Sequence, residues 1–109
     1  MNYSVLTIAP FDKQLKKLAK KYPSLKAEIS ILITQLQTEP NKGTALGNDC
    51  YKIRLAIASK GKGKSGGARV ITYLAITDSE VYLLSIYDKS QQSDIEDKEL
   101  LRLVDFIKT

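Results

Sequence analysis

Lys52 and Arg54 stand two residues apart in Cys50-Tyr51-Lys52-Ile53-Arg54-Leu55-Ala56-Ile57, where cationic and apolar residues alternate. On a β-strand that alternation turns Ile53, Leu55 and Ile57 one way and the two cations the other. Arg69 opens the later run Arg69-Val70-Ile71-Thr72-Tyr73, and Tyr87 with Lys89 ends the last apolar run. Cations that converge from adjacent strands suit one chemistry in particular. When a ribose 2′-hydroxyl attacks the neighbouring phosphate, charge grows on the phosphoryl oxygens, and Arg and Lys stabilise it in place of a metal. Proton transfer then falls to a Lys or Tyr with a perturbed pKa, because the chain contains no histidine.

The charge distribution agrees with a polyanionic partner. Between Cys50 and Thr77 there are six cations (Lys52, Arg54, Lys60, Lys62, Lys64 and Arg69) and no acid, in a chain of net charge +5. The remainder is therefore slightly acidic, and the basic character belongs to one segment. Nucleic acid held by its phosphates is the simplest match. A single cysteine, Cys50, excludes an internal disulfide and any multi-Cys metal site, so neither a metal nor another cofactor is expected. The start of the chain has no charged segment before an apolar run, and no apolar stretch approaches the length of a membrane span. The expectation is a cytoplasmic protein with no membrane partner.

Positioning these cations requires a sheet with helices behind it. A length of 109 residues with 43% apolar content fits one folded domain over residues 1–109. Tyr3–Ala9 reads as a first strand, stopped by Pro10, which suits the first turn of a helix. Phe11, Leu15, Leu18 and Tyr22 recur at helical spacing, ringed by Lys13, Lys16, Lys17, Lys20 and Lys21, which read as the polar face of an amphipathic helix. Leu25, Ile29, Leu32, Ile33 and Leu36 give a second helix that ends before Pro40. Residues 41–49 read as a loop. Three strands follow, near Tyr51–Ala58, Ala68–Thr77 and Glu80–Tyr87, with a turn at Thr77-Asp78-Ser79-Glu80. Ser93-Asp94-Ile95-Glu96 has the form of a capping box, placing Ser93 at the start of a last helix with Leu100, Leu101, Val104 and Ile107 on its apolar face. The fold class is α+β: a strand, a helical hairpin, a three-stranded antiparallel run and a C-terminal helix.

One motif misleads. Residues 58–65, Ala-Ser-Lys-Gly-Lys-Gly-Lys-Ser, look like a phosphate-binding P-loop, but Ala58 replaces the first glycine and a β-type run follows where a helix is needed. An NTPase is rejected. The plain alternatives for the other residues are a solvated strand face for Lys52 and Arg54, a soluble loop for Lys60, Lys62 and Lys64, and an ion pair with Asp94 for Arg69.

The segments Cys50–Leu55, Arg69–Tyr73 and Tyr82-Leu83-Leu84-Ser85-Ile86-Tyr87-Asp88-Lys89 resemble toxins of the RelE/ParE superfamily, with the same element order. The run from Ser59 to Arg69 and the later Ser93-Asp94 are closer to its HigB-like branch. The resemblance implies a RelE-like toxin fold and a ribosome-dependent mRNA endonuclease that cuts the message in the A site and halts translation. It implies Lys52 and Arg54 as two cationic strand positions of the site, Arg69 as the contact to the scissile phosphate and Lys89 as the cation after the last strand. Lys60, Lys62 and Lys64 would hold mRNA or ribosomal RNA, with Tyr73 beside them. The partners implied are the ribosome and a cognate antitoxin, in assemblies that are often two-to-two, with the antitoxin docked on an unpaired strand edge or on the basic face. One departure stands out: some members carry a tyrosine near the start of the last helix, where this chain has Ile95 and Glu96, leaving Tyr87 or Tyr73 to replace it. The alternatives from other classes are a ParE-like DNA gyrase inhibitor and a non-catalytic RNA- or antitoxin-binding module.

Overall fold

A computed structural model describes residues 2–61, 63 and 66–108, the last without its side chain. The elements run β1 (Ser4–Thr7), α1 (Ala9–Lys21), α2 (Leu25–Thr38), β2 (Thr44–Gly47), β3 (Cys50–Leu55), a 3-10 turn (Ala58–Lys60), β4 (Ala68–Ala75), β5 (Glu80–Asp88) and α3 (Asp97–Lys108). The strands form one sheet in the order β1-β5-β4-β3-β2, with β1 parallel to β5 and the other pairs antiparallel. This is the expected α+β class.

The helical hairpin forms for local reasons. Pro10 sits in the first turn of α1, Asp12 follows it, and Lys20 and Lys21 lie in the last turn, all favourable to the helix dipole. Leu25, Ile29, Leu32 and Leu36 of α2 are buried on one stripe, and Glu39 before Pro40 ends it. The two helices cover the sheet face that carries Ile53, Val70 and Ile86, which are paired across β3, β4 and β5. At the register step between Ile71 and Thr72, β5 carries one extra residue. Gln14 of α1 seals that irregularity, its Oε1 accepting from Ser85 Oγ and from the Ile86 N–H at 3.0 Å each.

Four expectations are corrected. Residues 41–49 are not all loop, because Thr44–Gly47 pairs with β3. Asn48 and Asp49 both have positive φ, 55° and 61°, so they make the two-residue hairpin turn that matches strand twist. Gly43 permits it: a Cβ there would stand 2.4 Å from the Lys52 carbonyl oxygen. Strand β1 is shorter than Tyr3–Ala9, and β3 ends at Leu55. The last helix starts at Asp97, not at Ser93, with the Glu96 carbonyl accepting its first bond from the Leu100 N–H at 2.9 Å. Within the Ser93–Glu96 segment the Asp94 carboxylate accepts from the Ile95 N–H at 2.8 Å and from Lys52.

The fourth correction concerns Lys60, expected to reach RNA. Its side chain is only 11% exposed and its ammonium binds Asp88 Oδ1 and Ser90 Oγ. Asp88 Oδ2 accepts from Tyr22 Oη at 2.7 Å, and Oδ1 also accepts from the Ser90 N–H and Oγ. Burial would push the Asp88 carboxyl up, but the bonds from Lys60, Tyr22 and Ser90 outweigh it and hold the group well below the usual carboxylate range. A second set of bonds fixes the same turn to α2. The Ala58 N–H donates to Glu28 Oε2 at 2.7 Å, and the Ser59 N–H donates to Ser24 Oγ at 2.9 Å. The start of the basic loop is thus clamped to the hairpin and to β5. Lys62 and Lys64 lie outside the described residues.

Asp88→Asn leaves the Lys60 ammonium buried without its charge partner, so stability falls by about 3–5 kcal/mol, read as a drop in the urea midpoint. Because the folded Asp88 pKa is depressed, its contribution is fully present above the ordinary aspartate value and is lost as pH falls below about 4. An acid titration of stability therefore flattens in that window in Asp88→Asn. At the other end of the loop, a Cβ on Gly67 would stand 2.1 Å from the Leu55 carbonyl oxygen, whereas Gly63 has open space. Gly67→Ala should cost about 1–3 kcal/mol and Gly63→Ala less than about 0.5 kcal/mol in the same urea measurement.

Candidate nucleic-acid interface

The sheet register decides which cations meet. Arg54 pairs with Arg69, and Arg69 pairs with Tyr87, so the three form one row across β3, β4 and β5. Neighbouring Cβ atoms in such a row lie about 4.5–5.5 Å apart. The next row is Lys52, Ile71 and Ser85. By the period of two, Arg54, Arg69, Tyr87, Lys52 and Ile71 lie on the face opposite Ile53, Val70 and Ile86, away from the helical hairpin, whereas the irregularity in β5 leaves the Ser85 hydroxyl turned to Gln14 of α1. Lys89 follows directly, its N–H bonded to the Gly67 carbonyl at 3.0 Å, which brings it to the β4 end where Arg69 begins. Four of the expected site residues, Lys52, Arg54, Arg69 and Tyr87, thus gather on one face, with Lys89 at its rim.

Two arginines placed directly opposite one another repel, and such pairs weaken a sheet. Arg54 is exposed at the end of β3, while Arg69 is 4% exposed and also donates from Nη1 to the Ala68 carbonyl at 3.2 Å. Tyr87 is 5% exposed, and its phenolic oxygen has no hydrogen-bond partner among the described residues. Burial, first, and the Asp94 carboxylate, second, push the Tyr87 phenol up, against the opposing pull of Arg69. The phenol therefore stays protonated, a donor in a site of cations.

Over this face crosses the segment between β5 and α3. Asp94 Oδ1 lies 3.3 Å from Lys52 Nζ, and Lys89 Nζ donates to the Ser93 carbonyl at 3.4 Å. The Ile95 N–H, then Lys52 and Lys89, hold the Asp94 carboxyl below its ordinary value. Asp94 thus pairs with Lys52 rather than with Arg69. Its side chain is 62% exposed, so the contact is a surface ion pair of small energy that another anion can displace.

Tyr73 is not brought to this cluster. It lies four residues along β4 from Arg69, about 13 Å at strand rise, and stacks at a tilt against Tyr82 with ring centroids 6.5 Å apart. Sequence reasoning missed Tyr22 and Asp88, which hold the loop beneath the site. Their partnership spans 66 positions and leaves no local signal. It also missed a cleft of about 520 Å³ between α2 and β3, lined by Ile31, Leu32, Gln35, Thr44, Lys52 and Arg54. The cleft exists because β2 reaches along β3 only as far as the Thr44–Lys52 pair. Among the described residues no helix is long and apolar enough to cross a membrane.

The fold recurs in solved structures. A mutant of the E. coli toxin RelE in the free state superposes with a TM-score of 0.63 at 18% identity, covering 85% of this chain and 90% of that one. The toxin–antitoxin complex RelBE2 of Mycobacterium tuberculosis gives 0.56 at 16% identity, over 81% and 92%. The intact E. coli RelBE toxin–antitoxin complex gives 0.51 at 23% identity, over 79% and 95%. Residues 11–108, nearly the whole chain, match the family model described as RelE toxin of the RelE / RelB toxin-antitoxin system. With the sheet, the hairpin and the cationic row in place, the chain belongs to the RelE toxin family.

Proposed function

We propose that this protein is a metal-independent endoribonuclease toxin that cleaves mRNA in the ribosomal A site. The observation that carries this reading is the cross-strand row Arg54–Arg69–Tyr87, two opposed guanidiniums beside a buried, protonated phenol with no hydrogen-bond partner among the described residues. Guanidiniums side by side in one row offer an anion several charge-assisted donors at once. In the reaction, the ribose 2′-oxygen attacks the adjacent phosphorus and gives its proton to water, the bond to the 5′-oxygen breaks, and a 2′,3′-cyclic phosphate and a 5′-hydroxyl protonated from water are left. Charge accumulates on the non-bridging oxygens in between. Arg54 and Arg69 face that charge, Lys52 meets a flanking phosphate once Asp94 is displaced, and Tyr87 donates a hydrogen bond to the phosphoryl group or its leaving oxygen. Lys89 holds the strand at the rim. The setting is the cytoplasm, where the ribosome supplies both message and site.

The partner in the free cell is a cognate antitoxin, as the RelBE complexes among the similar structures suggest. The cleft beside the open stretch of β3 suits an extended segment that adds to the sheet and sets apolar groups against Ile31 and Leu32 and an acid near Arg54.

Purified ribosomes programmed with a defined mRNA, followed by primer extension, test the activity. New 3′ ends within codons are expected only when ribosomes and protein are both present. Arg69→Ala should lower the cleavage rate about 10²–10³-fold, and Arg69→Lys should restore little of it because the planar fork is lost. Tyr87→Phe removes a hydroxyl that bonds to none of the described residues. Its urea midpoint should hold or rise while cleavage falls about 10²-fold. Intact mRNA with wild-type protein would overturn the reading and turn attention to a purified gyrase supercoiling assay.

A further inference from the structure

Tyr82 and Tyr87 are separated by an odd step along β5, yet both stand beside residues of one face of β4. Tyr82 pairs with Tyr73, and Tyr87 pairs with Arg69. A regular strand alternates sides at every residue, so an odd step puts two side chains on opposite faces. The extra residue of β5 restores the match. The pairs Ile71–Ser85 and Thr72–Leu83 leave Leu84 without a partner in the ladder, and Leu84 is fully buried. Without that bulge, a strand paired through Tyr73–Tyr82 would carry Tyr87 under the helical hairpin.

A bulge takes backbone groups out of the ladder, and they need other partners. Strand β1 pairs with β5 only as far as Thr7–Leu83, and α1 takes over beside the bulge. Gln14 lies three residues after Phe11 and four before Leu18, on the stripe of α1 that faces the sheet. An apolar side chain would be ordinary there. Gln14 instead sets one oxygen against two donors, the Ser85 hydroxyl and the Ile86 N–H, at 3.0 Å each. Two turns later, Tyr22 at the end of α1 donates to Asp88 at 2.7 Å. The helix advances about 12 Å between Gln14 and Tyr22, and Ser85 to Asp88 spans about 10 Å of strand. Tyr87 is thus held between two contacts of one helix.

We infer that Gln14 is a positioning residue for Tyr87: it fixes the bulge that turns the phenol to the face of Arg54 and Arg69. Its effect on cleavage rests on the proposed part of Tyr87 in that reaction, whereas its effect on the facing of Tyr87 does not. Gln14 stands on the hairpin side of the sheet and acts through Ser85 and Ile86. A side chain that only filled space there would be replaceable by Leu, which is of similar size. One that holds the bulge needs an acceptor oxygen, which Glu supplies and Leu lacks.

A double-mutant cycle of Gln14→Leu with Tyr87→Phe, with Gln14→Glu as the rescue, tests this in the ribosome cleavage assay. Gln14→Leu should lower kcat about tenfold and leave KM within about twofold, because the phenol is misplaced and the cations that bind the strand are not. Gln14→Glu should recover most of that loss. In the Tyr87→Phe background Gln14→Leu should cost less than about twofold, since the group it positions is gone. Equal losses in both backgrounds overturn the inference, as does wild-type cleavage by Gln14→Leu. A second readout needs no cleavage. Fluorotyrosine in place of Tyr87 reports its surroundings through its fluorine NMR resonance, which should shift or split in Gln14→Leu and return in Gln14→Glu. An unchanged resonance overturns the inference. A Gln14-dependent resonance in a protein that cleaves nothing leaves the positioning standing and removes the proposed function. Where Gln14→Leu does not fold, Ser85→Ala removes one of the two bonds and carries the same cycle, with an expected loss of about threefold that vanishes with Tyr87→Phe.

Discussion

The molecule is organised around a buried carboxylate. Asp88, at the last position of β5, receives bonds from Lys60, Tyr22 and Ser90, and so joins the end of the sheet to the end of α1 and to the turn that opens the basic loop. A charge buried this deeply is tolerated only with its partners in place. The partners come from three separate parts of the chain, so the ion pair sets their relative positions as much as it adds energy. Tyr87, which faces the cationic row, is the neighbour of Asp88 in sequence. The strand period turns one residue to the clasp and the other to the site. Fixing Asp88 therefore fixes which way Tyr87 points.

Register does the rest. Arg54, Arg69 and Tyr87 align only because β3, β4 and β5 pair without slippage in that region. A slip by one residue would move the two arginines among the apolar side chains under the hairpin. The irregularity at Ile71–Thr72 is kept to the far half of β4 and is sealed by Gln14 of α1. The helical hairpin thus serves the site from behind and borders it only at the cleft that α2 shares with Lys52 and Arg54. It covers the apolar face, closes the bulge and holds Ala58–Lys60 through Ser24 and Glu28.

Much of this was legible in the sequence, and what was hidden has common causes. Alternation in residues 50–57 marked β3 and placed Lys52 and Arg54 on one face, because burial of one face imprints a period of two. Strand β2 left no such imprint. It is a mostly exposed edge of four residues, held by an Asn48-Asp49 turn rather than by burial. Lys60 looked like its neighbours Lys62 and Lys64, since composition does not reveal which lysine of a run meets a buried acid. Tyr22 read as part of an apolar stripe, and its hydroxyl was the informative part. The Ser93–Glu96 signal was correct in form, yet the helix starts at Asp97 and Asp94 lies before it, bonded to the Ile95 N–H and Lys52.

The shortness of β2 carries a consequence for how this chain fares by itself in solution. Beyond Lys52, β3 has no strand on its outer edge, and the gap borders a cleft with Ile31 60% exposed. An open edge next to apolar surface is a template for any extended chain, including another copy at high concentration. Arg54 and Lys42 flank the opening, and like charges on two copies resist that self-pairing. The same charges leave the edge receptive to an oppositely charged strand, so colloidal behaviour and choice of partner are set by one short stretch of backbone.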